Sequence, residues 1–300
     1  MSEAAAAPRA APRALVGAAL CMASWAVFSL QDAIVKALVV DLPVAEVLFG
    51  RSLVIVALSF AFLDRADYRA LSVPANLRAV VLRSALILIA WLAYYRASRS
   101  LQLAELVTYY FVAPLFVVAL SAPLLKERVG LGRWGATILG FGGVLAAAAP
   151  GAGAPLLPVG LALIAAFAWA LTTILARSLA KGVTTPALML AGSIGFLGAC
   201  GAALPSFGVW PGLNQTLAMG ALGLVGGAGQ YLWFEGARRA EASLLAPLEY
   251  SMFAYAIFWG YLVFGDWPRP RTFLGAAIVL TSGLMVMGLE MRRRRVAPAA

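Results

Sequence analysis

The chain has 300 residues, of which 63% are hydrophobic and only 12% charged, and its mean hydropathy is +0.90. A soluble domain carries about twice that charge, so a water-soluble globular protein is excluded. Histidine is absent, which removes His-dependent nucleophilic triads, HExxH metal sites and His-ligated haem; no metal or cofactor is expected. Cys21 and Cys200 lie inside apolar stretches and read as small packing residues.

About ten apolar runs long enough to cross a bilayer follow one another, at 14–38, 43–63, 78–97, 102–124, 132–149, 158–180, 185–204, 214–235, 241–264 and 272–290. Most breaks are too short to hold a soluble domain. The longest, from Leu63 to Asn76, carries Asp64, Arg65, Asp67 and Arg69. Residues 1–12, rich in Ala and Pro, read as a disordered tail, and the run after Arg9 and Arg13 is too long for the core of a secretory signal.

Span one places Trp25, Phe28, Ser29, Asp32 and Lys36 along one helical face, with Gln31 off it. Charge inside a span is costly and faces a cavity or a partner. Asp32 and Lys36 are four residues apart and placed to pair, and Asp32 is a candidate for substrate contact or gating. In span two, Glu46 and Arg51 fall near an interface where long side chains reach water, so a helix-end or interhelix salt bridge is expected. Arg83, near the start of span three, carries the same expectation. Glu105 opens span four, where the helix dipole favours a negative cap. Glu249 lies too deep in span nine for snorkelling and is a functional candidate.

Trp25, Trp91, Tyr109, Tyr110 and Trp169 fall near mid-membrane by residue count, and Tyr94, Tyr95, Tyr231, Trp233 and Phe234 nearer the surfaces. Interface belts explain aromatic residues at span ends but not at the centre. Central Tyr and Trp need polar partners, which a hydrated cavity provides, and their faces can hold ammonium groups. Gln230, Glu249 and Tyr250 complete the candidate lining. Span eight carries Gly223, Gly226, Gly227 and Gly229, which permit close helix approach, and Gly226-Gly227 is a candidate bend. Pro114 and Pro247 interrupt spans four and nine at roughly corresponding points, as at a hinge or binding site.

With the N-terminus inside, sixteen basic residues fall in cytoplasmic segments and only four (Arg96, Arg99, Arg269 and Arg271) outside. This positive-inside bias puts both termini in the cytoplasm. The net charge of +10 is then a topology signal that requires no nucleic-acid partner. Arg292–Arg295 are placed to meet lipid headgroups.

The two halves resemble each other. Ala104-Glu105-Leu106 aligns with Ser243-Leu244-Leu245, and twenty-three residues later each copy reaches an acidic residue, Glu127 and Asp266. Gly135 and Gly143 pair with Gly275 and Gly283 after one inserted residue, and Trp25 and Trp169 sit at similar depth. Five spans per copy is an odd number, so the second copy runs inverted, as in alternating-access carriers.

The segments "LVTYYFVAPLFVVALSAPLLKERV" and "ASLLAPLEYSMFAYAIFWGYLVFGDW" resemble the paired EamA repeats of the drug/metabolite transporter superfamily, most closely its YddG-type amino-acid exporters. The resemblance covers all ten spans. It implies an all-α bundle of ten transmembrane helices as two inverted five-helix repeats, over 13–149 and 158–290, with a basic tail at 291–300. It also implies a cavity lined by spans 1, 3, 4, 6, 8 and 9. Many members carry Glu-Pro in span nine, whereas this chain has Glu249-Tyr250 after Pro247.

A secondary carrier in a bacterial inner membrane is therefore expected, exporting aromatic and other neutral amino acids or related small metabolites. The alternatives are a carrier of the same superfamily for a nucleoside, vitamin, nucleotide-like cofactor or organic cation, and a channel-like pore. No Walker A sequence is present, and no ATPase subunit is expected. No catalytic motif accompanies the intramembrane carboxylates, so an enzyme is not expected.

Overall fold

The computed structural model describes residues 10–62, 74–125, 130–148, 155–179, 184–237, 239 and 248–296. Pro247, Glu127, the break residues Asp64 to Arg69, and residues 1–9 and 297–300 of the tails lie outside them. All regular structure among the described residues is helical. Apolar runs of this length form helices because the helix satisfies every backbone N–H and C=O within the run, without water.

The first half contains α1 (Ala10–Leu38), α2 (Val44–Phe62), α3 (Pro74–Ser98), α4 (Leu103–Tyr110), α5 (Ala113–Leu125) and α6 (Leu131–Ala148). The second contains α7 (Leu156–Leu179), α8 (Thr185–Phe207), α9 (Leu213–Ala237), α10 (Ser251–Phe264) and α11 (Pro270–Val296). Among the described residues, seven stretches are long and apolar enough to cross a membrane, one of them running through α4 and α5 as Leu103–Leu120. Three shorter apolar helices, Trp134–Ala147, Leu156–Thr172 and Ser251–Phe264, accompany them.

The break between α4 and α5 has a local cause. Pro114 has no N–H to donate to the Tyr110 carbonyl and its ring crowds that turn, so the helix loosens at Phe111-Val112 and restarts at Ala113. Proline is well tolerated there because the first turn of a helix has unpaired N–H groups in any case.

Packing follows a two-fold pattern. Helix α1 lies against α9, and α3 against α7; α2 packs on α8, and α6 on α11. The pairs α2–α9 and α3–α8 recur in the same way, as do α1–α10 and α5–α7. Exchanging the halves converts each contact into another of the set. The equivalent helices α3 and α9 are both 25 residues long. Between α6 and α11 the backbones touch: a Cβ on Gly143 would lie 2.9 Å from the Gly275 carbonyl, and one on Gly275 2.6 Å from that of Gly143. Small residues permit such approach where apolar burial gives helices no drive to associate.

Leu53, Val81, Ile138, Leu224 and Leu274 point outward, the arrangement an acyl environment favours. Trp210, Tyr261 and Trp267, also exposed, gather at the end where α9 begins and α10 stops, as an interfacial aromatic belt does.

Candidate functional site

A cavity opens between the halves. It offers about 130 Å³ to the centres of water molecules, inside about 1050 Å³ of atom-free space that includes its mouth. Helix α3 lines it from Arg83 to Tyr95, ~18 Å of helix axis at 1.5 Å per residue.

Of the residues singled out in the sequence, Trp25, Phe28, Asp32, Trp91, Tyr94, Tyr95, Tyr110, Trp169, Gln230, Trp233 and Phe234 line this cavity. The rings form a connected wall. Tyr94 and Tyr110 meet edge to face at 5.3 Å, and Trp91 meets both Tyr95 and Phe196 at 5.6 Å. Tyr110 is 6.5 Å from Trp169. Such pairs gain about 0.5–1.5 kcal/mol each beyond their buried area, which stiffens the wall.

The others lie elsewhere. Ser29 and Tyr109 are buried off the wall. Tyr231 is 53% exposed on the outer face of α9, because one residue beyond Gln230 turns about 100° around the helix. Glu249 is part-exposed just before α10. Tyr250 stacks on Phe111 at 5.3 Å and directs its hydroxyl at Gly283. Gly226 and Gly227 fall within α9, which is helical throughout from Leu213 to Ala237. Pro114 sits just after the α4–α5 break.

Several charged residues depart from expectation. Lys36 pairs with Asp266 at 2.8 Å, and not with Asp32; its ammonium also lies 4.6 Å above the Phe264 ring. The left-handed Gly265 makes this possible by ending α10 in a tight turn, its amide and that of Asp266 donating back to the Tyr261 and Gly260 carbonyls. Asp266 is thereby aimed at the end of α1. Glu46 accepts a hydrogen bond from the Val209 amide at 2.9 Å rather than pairing with Arg51. Glu105 accepts from the Gln102 amide in a capping box, as a residue at that point should.

Arg51 is the main correction. It is not at an interface but 1% exposed, in the middle of the bundle. Its Nε and Nη2 donate to Gln31 Oε1 at 3.3 and 3.2 Å, and its guanidinium lies 4.1 Å from the centre of the Trp91 ring. Gln31 Nε2 donates to the Tyr95 hydroxyl at 2.8 Å. Tyr95 and Tyr94 donate to the two Asp32 oxygens at 3.4 and 2.9 Å. One hydrogen-bonded chain thus links the guanidinium to the carboxylate without a direct ion pair. Gly226 makes room for it: a Cβ there would fall 2.4 Å from Gln31 Oε1 and 2.7 Å from Arg51 Nε.

Sequence reasoning missed Arg51, Gln31 and Arg83 as lining residues, along with Leu188, Met189, Ser193 and Phe196 of α8. Arg51 and Arg83 carried a signal, because both lie inside spans and are expensive there unless served by a cavity. Helix α8 carried none, since its lining residues are small or apolar. The wall therefore includes α2 and α8 besides the spans the resemblance implied. A symmetry also emerges. Trp91, Tyr94 and Tyr95 of α3 and Gln230, Trp233 and Phe234 of α9 occupy equivalent places, each 139 positions apart, and all six line the cavity.

A helical membrane protein with an aromatic cavity between two equivalent halves has the form of a small-molecule transporter. Comparison with known proteins agrees. The profile of the EamA-like transporter family matches residues 13–148 and 156–288. The chain belongs to this family, whose members are transporters. A riboflavin transporter of Rhizobium johnstonii is 31% identical over 300 residues, covering 94% of each chain. A riboflavin transporter of Vibrio cholerae is 30% identical over 192 residues, covering 61% of this chain and 62% of its own. One solved crystal structure superposes with a TM-score of 0.62 over 96% of this chain and 99% of its own; at 18% identity it speaks for the fold alone.

Proposed function

We propose that the chain is a secondary carrier for a riboflavin-type vitamin, moving it by alternating access through the central cavity. The observation that carries this reading is the cavity itself: aromatic faces with a buried polar chain among them, in a chain 31% identical to a riboflavin transporter along nearly its whole length. Aromatic faces suit a planar ring system, and the polar groups suit its heteroatoms. Neither of the two named relatives points to the amino-acid export expected from the sequence.

The carrier has ten transmembrane helices in two inverted five-helix repeats, 13–149 and 158–290, with both termini cytoplasmic in a bacterial inner membrane. Lipid is its other partner, and no ATPase subunit or nucleic acid takes part. With that topology the cavity runs toward the cytoplasm, since Arg83, Leu188, Met189, Trp233 and Phe234 all sit near the inner ends of their helices.

Counterflow in proteoliposomes tests the reading. Vesicles preloaded with unlabelled riboflavin are expected to accumulate labelled riboflavin transiently, with competition by excess flavin and none by phenylalanine, methionine or threonine. Accumulation of a labelled amino acid instead of riboflavin would return the assignment to the exporters of amino acids.

A further inference from the structure

Five polar groups of the cavity are joined in one hydrogen-bonded chain. Gln31 and Asp32 come from α1, Arg51 from α2, and the Tyr94 and Tyr95 hydroxyls from α3, while Arg83, Ser193 and Gln230 stand elsewhere on a lining that also carries Trp169, Phe196, Trp233 and Phe234. Gln31 is 2% exposed and Asp32 6%, so neither is a surface group that happens to turn inward. Both functions of the Gln31 amide are used, its oxygen by Arg51 and its nitrogen by Tyr95. That fixes which way the amide points and holds both ends of the chain in place.

Those ends have capacity to spare. A guanidinium has five N–H donors, and Gln31 takes one from Nε and one from Nη2. A carboxylate has about four acceptor sites, and Tyr94 and Tyr95 each fill one. A cavity wall thus displays fixed N–H donors at one end and carboxylate lone pairs at the other, beside aromatic faces. Polar capacity that the protein does not meet falls to water or to a ligand, and a ligand that supplies both an acceptor and a donor on one edge can take the place of water there.

We propose that Asp32 and the Arg51–Gln31 pair form a recognition ledge for the imide edge of a flavin-type ring. That edge presents an N–H between two carbonyls on an otherwise flat, uncharged heteroaromatic system. Arg51 donates to a ring carbonyl and Asp32 accepts from the imide N–H, while Trp91, Tyr110 and Trp169 bound the ring. Trp91 contributes twice, since its face also holds the guanidinium. The inference rests on the riboflavin-type reading and adds which atoms of the substrate are read and by which residues.

Binding of riboflavin and of 3-methylriboflavin, in which a methyl replaces the imide hydrogen, to the purified full chain tests it through quenching of flavin fluorescence. The wild-type protein is expected to bind the methylated flavin about tenfold to a hundredfold more weakly, the worth of one hydrogen bond to a charged group. In Asp32→Ala that difference is expected to vanish, and in Arg51→Lys it is expected to persist while both flavins bind more weakly. Equal binding of the two flavins by wild type overturns the ledge and leaves the riboflavin carrier standing. Discrimination that survives in Asp32→Ala overturns the role of Asp32. Failure to bind either flavin, with counterflow of an amino acid, removes the riboflavin reading and the ledge together. The comparison within wild type decides the matter even where a variant fails to fold.

Discussion

Phe111 and Tyr250 meet edge to face, their ring centres 5.3 Å apart and their planes at 83°. They are equivalent residues of the two repeats, 139 positions apart like Ala104 and Ser243. Each marks a departure from regular helix: Phe111 falls between α4 and α5, and Tyr250 immediately precedes α10. Two equivalent residues that touch must lie close to the axis relating their halves. The contact therefore lies beside that axis.

Tyr250 has little room. A Cβ on Gly283 would lie 1.5 Å from its hydroxyl oxygen and 2.6 Å from Cζ. Gly283→Ala is expected to lower stability by about 1–3 kcal/mol, the cost of overpacking, and adding Tyr250→Phe is expected to recover part of it. Thermal unfolding in detergent of the two single variants and the double variant reads the coupling.

Gly226 and Gly227 are neighbours with opposite expectations. Alanine at 226 drives into Gln31 and Arg51, whereas at 227 the nearest atom is Leu58 Cδ1 at 3.4 Å, an ordinary contact. Gly226→Ala is expected to abolish transport or cut it at least about tenfold by displacing the buried chain. Gly227→Ala is expected to transport normally. Equal loss in both would point to helix bending rather than to room for Arg51.

Gln230 and Tyr231 form a second such contrast. Gln230 lines the cavity and Tyr231 faces outward. Gln230→Ala is expected to raise the concentration for half-maximal transport about tenfold, as loss of a polar cavity contact does. Tyr231→Ala is expected to leave it unchanged.

The Lys36–Asp266 pair joins the end of α1 to the turn after α10, with side chains 13% and 27% exposed. A part-buried pair contributes more than the roughly 0–1 kcal/mol of a fully exposed one, so Lys36→Met, which leaves Asp266 unpaired, is expected to lower stability measurably. Its position matters more, since in the alternating-access carrier proposed above the elements it joins would move apart. With Cys21 and Cys200 replaced, a Lys36→Cys, Asp266→Cys chain joined by a short reducible thiol crosslinker is expected to stop transport. Reductant is expected to restore it. Undiminished transport by the crosslinked protein would show that this end stays shut throughout the cycle.

Length, hydropathy and the 139-residue repeat determined that this is a helical membrane protein of two related halves, because the bilayer fixes helix length and apolar composition along the chain. Central aromatic residues such as Trp25, Trp91 and Trp169 were legible as cavity candidates, since a tryptophan or tyrosine far from an interface needs some polar partner. Which of them face inward was not. Tyr109 and Tyr110, or Gln230 and Tyr231, differ only by a 100° turn, and the packing of neighbouring helices sets that phase.

The partners of Lys36 and Arg51 were decided by the tertiary structure. Lys36 is four residues from Asp32 in sequence, yet Asp266 reaches it because Gly265 turns the chain back, and that turn lies 230 residues away. Arg51 read as an interfacial group, but Gly226 on a helix from the other repeat leaves space for it beside Gln31 and Trp91. A residue's own span states the cost of burying its charge; only the helix packed against it supplies the partners that meet that cost.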